Sequence, residues 1–186
     1  MNTNIVVDGE ILLRRASLVY TDEIFALIDS NRSHLREWVP WVDSIKTRGD
    51  ERDWIKARVN FADELRQSHF MMIYKGAVAG LIAIMNLGSP NKACEIGYWL
   101  GEEFQGKGIV TKSCRILIAG LFEKEGMRRV QIRAATYNHR SRAIPERLGF
   151  VLEGIQRQAE LVNGRFYDLA MYSVLADEWG EKNELR

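Results

Sequence analysis

The stretch Glu95-Ile-Gly-Tyr-Trp-Leu100, continued by Gly101-Glu-Glu-Phe-Gln105-Gly-Lys-Gly-Ile-Val-Thr111, decides the fold. The run Ala93 to Leu100 reads as a strand. Gly106 and Gly108 then open a helix in which Val110, Cys114, Leu117/Ile118 and Leu121/Phe122 recur on one face. Gly126 is a natural C-cap for it. A strand that runs through a glycine turn into a helix aims backbone N–H groups and the positive end of the helix dipole at one spot. Such a spot suits a phosphate or pyrophosphate. Glycine tolerates unusual dihedrals and lets an anion approach the backbone, and Lys107 adds charge. The same turn also serves as a plain helix cap, and spacing alone leaves both readings open. A Walker A loop is excluded, because no Gly-x-x-x-x-Gly-Lys-Ser/Thr occurs. The Rossmann fingerprint is excluded too, because position 111 holds threonine and not glycine.

Working outward, residues 10–15 are a short apolar run and a first strand. Asp22 to Ile28 reads as a helix with Thr21 as its N-cap. The aromatic, proline-broken stretch His34 to Trp41 follows. A second helix is expected at about 50–67, with Trp54, Ala57/Arg58, Phe61/Ala62 and Leu65 at helical spacing. His69 to Tyr74 and Ala77 to Met85 form a hairpin around Lys75-Gly76. Beyond the glycine turn, Val130, Ile132, Ala134 and Thr136 alternate as a strand. A short helix is expected at about 142–148, then strands at about 150–161 and 166–175 around Asn163-Gly164. The order β, α, α, β, β, β, α, β, α, β, β is a mixed α/β domain, with about seven strands and about four helices. It is not the strict alternation of a doubly wound fold. No repeat or linker divides the chain, so one domain is expected over 1–186, with its core at about 10–178.

Composition narrows the function. The chain has 186 residues, of which 46% are hydrophobic, enough for a real core. Its 26 basic and 25 acidic residues give a net charge of +1, which argues against a chain-wide nucleic-acid footprint. The two cysteines, Cys94 and Cys114, argue against a disulfide scaffold and for a reducing, cytoplasmic setting. The three histidines lie at no metal-ligand spacing, so no metal is expected. No signal-peptide layout and no membrane-length apolar run are evident.

A second constellation lies at Asn138-His-Arg-Ser141-Arg-Ala-Ile-Pro-Glu-Arg-Leu-Gly-Phe150. By itself it reads as a turn asparagine and a capping serine. Between 128 and 147 stand six arginines (Arg128, Arg129, Arg133, Arg140, Arg142 and Arg147) and one acid, Glu146. They are either a solvated face or, beside a phosphate-binding turn, a basic edge for further phosphates of the same ligand.

Taken together, these residues resemble the GNAT superfamily of acyl-CoA-dependent N-acetyltransferases. The family's phosphate loop has the pattern Gln/Arg-x-x-Gly-x-Gly/Ala, matched here by Gln105-Gly-Lys-Gly108-Ile-Val110, with valine departing from the pattern at the last position. The strand Ile96-Gly-Tyr-Trp-Leu100, the pair Asn138 and Ser141, and Leu148-Gly149-Phe150 resemble the RimJ/RimL-type protein N-acetyltransferases. Gln158-Ala-Glu160-Leu-Val-Asn-Gly164 is similar to the RimL-type enzymes that acetylate the N-terminal residue of a ribosomal protein. The likeness is dense from 93 to 172 and thin before 70. Pro145 is not required by the pattern, and it is expected to shorten the helix start and to free a carbonyl near Ser141.

The resemblance implies a GNAT fold, acetyl-CoA as cosubstrate, and direct attack in a ternary complex. It places the diphosphate at the amides of Gly106, Lys107, Gly108, Ile109, Val110 and Thr111, after Gln105. It runs the pantetheine along Tyr98, Trp99 and Leu100, where the strand parts from its neighbour, with Asn138 holding the arm. An α-amino group has a pKa of about 7.7–8.0 and is largely protonated at neutral pH. Glu160 is the candidate base, acting through a water; on position alone it is an ordinary strand residue. Ser141 is the candidate hydrogen-bond or proton donor to the leaving thiolate. No acyl-enzyme is implied, and the cysteines read as small core residues. His34, Trp38, Trp41 and Tyr167 are acceptor-side candidates; the tryptophans and His34 read equally as a loop packed on the sheet. The acceptor is a protein N-terminus, a ribosomal one by resemblance, or else a small amine such as an antibiotic, polyamine or aminoacyl compound. A reading of another class is an acyl-CoA-binding module without turnover. The resemblance also implies a homodimer, with neither nucleic acid nor membrane as direct partner.

Overall fold

The strand–turn–helix unit stands at the centre of the computed structural model, which describes residues 4–60 and 67–183. Its strand is β5 (Ala93–Leu100) and its helix α4 (Ile109–Glu123). The other strands are β1 (Asn4–Val6), β2 (Ile11–Arg15), β3 (Ser68–Tyr74), β4 (Ala77–Met85), β6 (Arg129–Ala135), β7 (Val151–Val162) and β8 (Arg165–Leu175). All eight form one sheet in the order β1-β2-β3-β4-β5-β6-β8-β7. The other described helices are α1 (Thr21–Ser30), α2 (Arg32–Arg36), α3 (Arg48–Asn60), α5 (His139–Arg147) and α6 (Ala176–Asn183). The described residues thus hold one strand and two helices beyond the expected seven and four. β1 has three residues and α2 five, too short to show a period. α6 follows directly on β8, with no break in the chain to mark it. α5 starts earlier than expected because Asn138, not Ser141, is the cap. Of the long helix expected at about 50–67, Phe61, Ala62 and Leu65 lie outside the described residues.

Alternation along the strands sorts the side chains onto two faces. On one face Cys94, Ile96, Val130, Ile132, Ala170, Tyr172 and Val174 meet Ile109, Cys114, Leu117, Ile118 and Leu121 of α4. On the other, Met71, Leu81, Ala83 and Trp99 meet Ile24, Leu27 and Ile28 of α1 and Ile55 of α3. Each fully buried aliphatic chain contributes roughly 2 kcal/mol, so the α4 stripe is what fixes the glycine turn against the sheet. No described helix is long and apolar enough to cross a membrane.

β5 follows β4 closely, with Glu95 opposite Met85 and Leu100 opposite Gly80. Its parallel pairing with β6 covers only Ala93↔Arg129, Cys94↔Val130 and Glu95↔Gln131. β6 itself stays paired with β8 from Arg129 to Ala135. Each strand therefore keeps to its antiparallel partner, and β5 and β6 part beyond Glu95. The β6-side backbone groups of 96–100 are left without a ladder, and such groups need another partner.

Gly80 controls this geometry from behind. A Cβ built there would lie 2.1 Å from the Trp99 carbonyl oxygen, a backbone atom that cannot swing away. Gly80→Ala is expected to cost about 3 kcal/mol or more in denaturant unfolding, through forced separation of β4 and β5.

Candidate active site

The glycine turn has the conformation an anion cradle requires. Gly106 and Gly108 both sit at positive φ, 73° and 72°, and Gly108 is the N-cap of α4. The first N–H groups of a helix have no intrahelical acceptor, so Ile109, Val110 and Thr111 present theirs beside the turn. The valine at 110 takes part through its backbone and buries its side chain. Lys107 folds back and donates to the Glu103 carbonyl.

Gln105 is held from both sides. Its Nε2 lies 2.7 Å from His34 Nε2, and its Oε1 accepts from Arg140. His34, expected on the acceptor side, therefore touches the phosphate turn. The neighbouring Asn31 Oδ1 accepts from the Glu102 N–H at 2.7 Å. Farther along, the Arg36 carbonyl accepts from Asn163 at the β7–β8 turn, and the ring of Trp38 packs 6.0 Å from that of Tyr167. Residues 31–38 thus strap the glycine turn to the β7–β8 hairpin.

The basic run is not a free phosphate edge. Arg128 pairs with Asp177, Arg129 with Glu153, Arg133 with Glu95, and Arg142 with Glu146. Tertiary structure brings Asp177, Glu153 and Glu95 from elsewhere in the chain, whereas Glu146 lies one turn along α5 from Arg142; of the six arginines Arg140 is the one seen bonded to the turn.

On the α4 face, the parted segment of β5 meets α5. The Tyr98 hydroxyl donates to the Ser141 carbonyl at 3.1 Å, and Ser141 Oγ lies 3.4 Å from the same phenolic oxygen. Asn138 Oδ1 accepts from the Ser141 N–H at 3.1 Å. Burial pushes the Tyr98 phenol well above its usual range. Burial also pushes Cys94 up to about 12 and raises Cys114. Neither cysteine offers a thiolate at neutral pH.

Glu160 occupies the opposite face. It stands across from Tyr167, past an irregularity in β7 where three residues, Arg157 to Ala159, oppose Asp168 alone. Gln158 there has a φ of 49°, and its N–H donates to the Asp168 carboxylate at 2.8 Å. Asp168 therefore serves to hold the bend that presents Glu160. Burial raises the Glu160 carboxyl above its ordinary value; the charge of Arg133 opposes the rise and that of Glu95 adds to it. Arg133 Nε donates to Glu95 at 2.8 Å, and Gln131 donates to the other Glu95 oxygen at 2.9 Å. Sequence reasoning missed this Glu95–Gln131–Arg133 network. The signal lay in the alternation of Gln131 and Arg133 along β6, which puts both on the Glu160 face. Trp41 packs between Trp54 and Trp99, at 5.6 Å and 6.1 Å, as a sheet-covering residue. The described residues contain no cluster of His, Cys, Asp and Glu able to hold a metal.

The parted strand pair, the glycine-capped helix and the eight-stranded mixed sheet belong to a fold that superposes on solved acetyltransferases. The profile of the acetyltransferase (GNAT) domain matches residues 10–151. YdaF of Bacillus subtilis (strain 168), provisionally assigned as a ribosomal N-acetyltransferase, is 38% identical over 182 residues, covering 95% of this chain and 97% of its own. The solved RimL ribosomal L7/L12 α-N-protein acetyltransferase, in complex with coenzyme A, superposes with a TM-score of 0.89 at 27% identity, covering 94% of this chain and 99% of that one. The microcin C7 self-immunity acetyltransferase MccE, solved with acetyl-CoA and AMP, gives a TM-score of 0.88 at 32% identity, covering 94% and 97%. Fold and relatives define an N-acetyltransferase. The chain belongs to the GNAT acetyltransferase family.

Gly108→Val would force a β-branched residue into a left-handed conformation and place a side chain at the cradle. Calorimetric titration is expected to show at least about tenfold weaker CoA binding, a loss of about 1.4 kcal/mol, with the sheet intact by circular dichroism.

Proposed function

We propose that the protein transfers the acetyl group of acetyl-CoA to the α-amino group of a protein N-terminus, a ribosomal protein being the acceptor. The observation that carries this reading is the parting of β5 from β6, with Glu160 on one face of the gap and Ser141 on the other. The near full-length likeness to an L7/L12 α-N-acetyltransferase supports the acceptor class.

In this reading the amides of 106–111 and the helix dipole hold the diphosphate. The unpaired edge at Tyr98, Trp99 and Leu100 takes the pantetheine as an added strand, Asn138 holds the arm, and the same edge donates to the thioester oxygen as charge develops. The thioester supplies an activated acyl carbon. Glu160, through a water, takes a proton from the ammonium or from the attacking amine. The C–N bond forms, the C–S bond breaks, and its electron pair leaves on sulfur. Ser141 donates a hydrogen bond to that sulfur. Glu160 and Ser141 lie on opposite faces, so amine and thiol need not compete for one space.

Acetylation of a small amine is the second reading, favoured by the likeness to a microcin immunity enzyme solved with AMP. Incubation with acetyl-CoA and purified ribosomal proteins should add one acetyl group to an N-terminus by mass spectrometry. Thiol release with small amines alone, and none with any ribosomal protein, would select the second reading. The homodimer belongs to the same proposal. Val151, Leu152, Ile155 and Leu161 stand exposed on β7, an edge strand, and light scattering should give twice the chain mass.

The rate should rise with pH through a value above the ordinary carboxylate range, as Glu160 loses its proton. Glu160→Gln should remove that limb and lower kcat about a hundredfold. Arg133→Gln removes the charge that favours the carboxylate and should move the limb to higher pH; Glu95→Gln should move it lower. An unmoved limb in both would dissociate this network from Glu160.

A further inference from the structure

Helix α5 carries Pro145 in its interior. In an α-helix the N–H of residue i bonds the carbonyl of residue i−4. Pro145 has no N–H, so the Ser141 carbonyl loses its helical donor. The Tyr98 hydroxyl takes that place at 3.1 Å. The same phenolic oxygen lies 3.4 Å from Ser141 Oγ and accepts from it. Asn138 Oδ1 holds the Ser141 N–H at 3.1 Å. Every polar group of Ser141 is therefore engaged, one by the cap of α5 and two by a tyrosine on β5. Tyr98 lies in the segment of β5 that has left β6, so the contact joins Ser141 to the edge assigned above to the pantetheine.

We propose that Pro145 and Tyr98 are positioning residues for Ser141: the proline frees a carbonyl that anchors the Tyr98 hydroxyl, and the hydroxyl then holds Ser141 Oγ at the gap where the thiolate leaves. The inference rests on the reading of Ser141 as donor to that thiolate. As the C–S bond breaks and its electron pair passes to sulfur, the Ser141 O–H turns from the phenolic oxygen to the sulfur. Tyr98 keeps its own proton on the Ser141 carbonyl throughout, as a neutral phenol.

Three variants of the full chain test this with CoA itself as the probe, so no acceptor is needed. The readout is the pH at which the thiol of bound CoA becomes open to alkylation by iodoacetamide; both cysteines of the protein are buried. A hydrogen bond from Ser141 stabilises the bound thiolate, so Ser141→Ala should raise that pH. Tyr98→Phe, which keeps the ring, should raise it in the same direction. So should Pro145→Ala, which supplies the Ser141 carbonyl with a competing backbone donor. Each variant is assayed at a CoA concentration that saturates it, so a change in affinity is not read as a shift of the thiol. Pro145→Ala should also melt no lower than the native protein, because a helix gains a bond; a purely structural proline would leave the thiol unmoved. With a peptide bearing a free N-terminus, kcat should fall about tenfold in Tyr98→Phe, the scale of one lost hydrogen bond. Neither change should act further in a Ser141→Ala background. If Ser141→Ala moves the thiol and the other two do not, the positioning role is overturned. If Ser141→Ala moves nothing, the donor reading of Ser141 fails, and this inference with it.

Discussion

The architecture depends on an unequal contest for β5. Antiparallel pairing with β4 continues to Leu100, whereas parallel pairing with β6 ends at Glu95. Gly80 lets β4 approach the Trp99 carbonyl closely, and β8 holds β6 along its whole length. Neither neighbour can follow the other, so the sheet opens in its middle. An edge strand inside a sheet is otherwise a liability, because its N–H and C=O groups need partners. Here it lies beside a glycine-capped helix terminus, and the proposed function uses the two together as a track for acetyl-CoA.

Strand alternation then divides the chemistry. Odd and even residues of one strand face opposite sides, so Tyr98 points to α5 and Ser141 while Glu95 points to Arg133 and the surroundings of Glu160. Burial raises the Glu160 carboxyl, and the rise is tempered by a cation that Glu95, itself bonded by Gln131, holds in place. The hydroxyl on the other side is held by a tyrosine that a proline has made room for. Residues 31–38 link the two regions, through Asn31 and His34 at the glycine turn and Arg36 and Trp38 at the hairpin.

Much of this was legible in the chain. The glycine turn, the amphipathic α4 and the Asn163-Gly164 hairpin are local signals, set by dihedral freedom and by period. The freed carbonyl near Ser141 was legible too, because a proline's missing donor acts at a fixed distance of four residues. Less legible were α2, with five residues, and the bend before Glu160, which depends on Asp168 across the hairpin. The partners of the arginines were illegible for the same reason. Asp177, Glu153 and Glu95, which neutralise them, are 49, 24 and 38 residues away.

By itself, then, the sequence determined the order of the longer elements, the glycine turn and the family, because backbone preference, periodicity and short motifs act within a few residues. Only the tertiary structure decided where β5 leaves β6, which arginine stays at the turn, and that His34 serves Gln105 while Trp38 meets Tyr167. Those outcomes turn on contacts between segments far apart in the chain, where pairing registers and packed faces compete, and no local pattern records which neighbour wins.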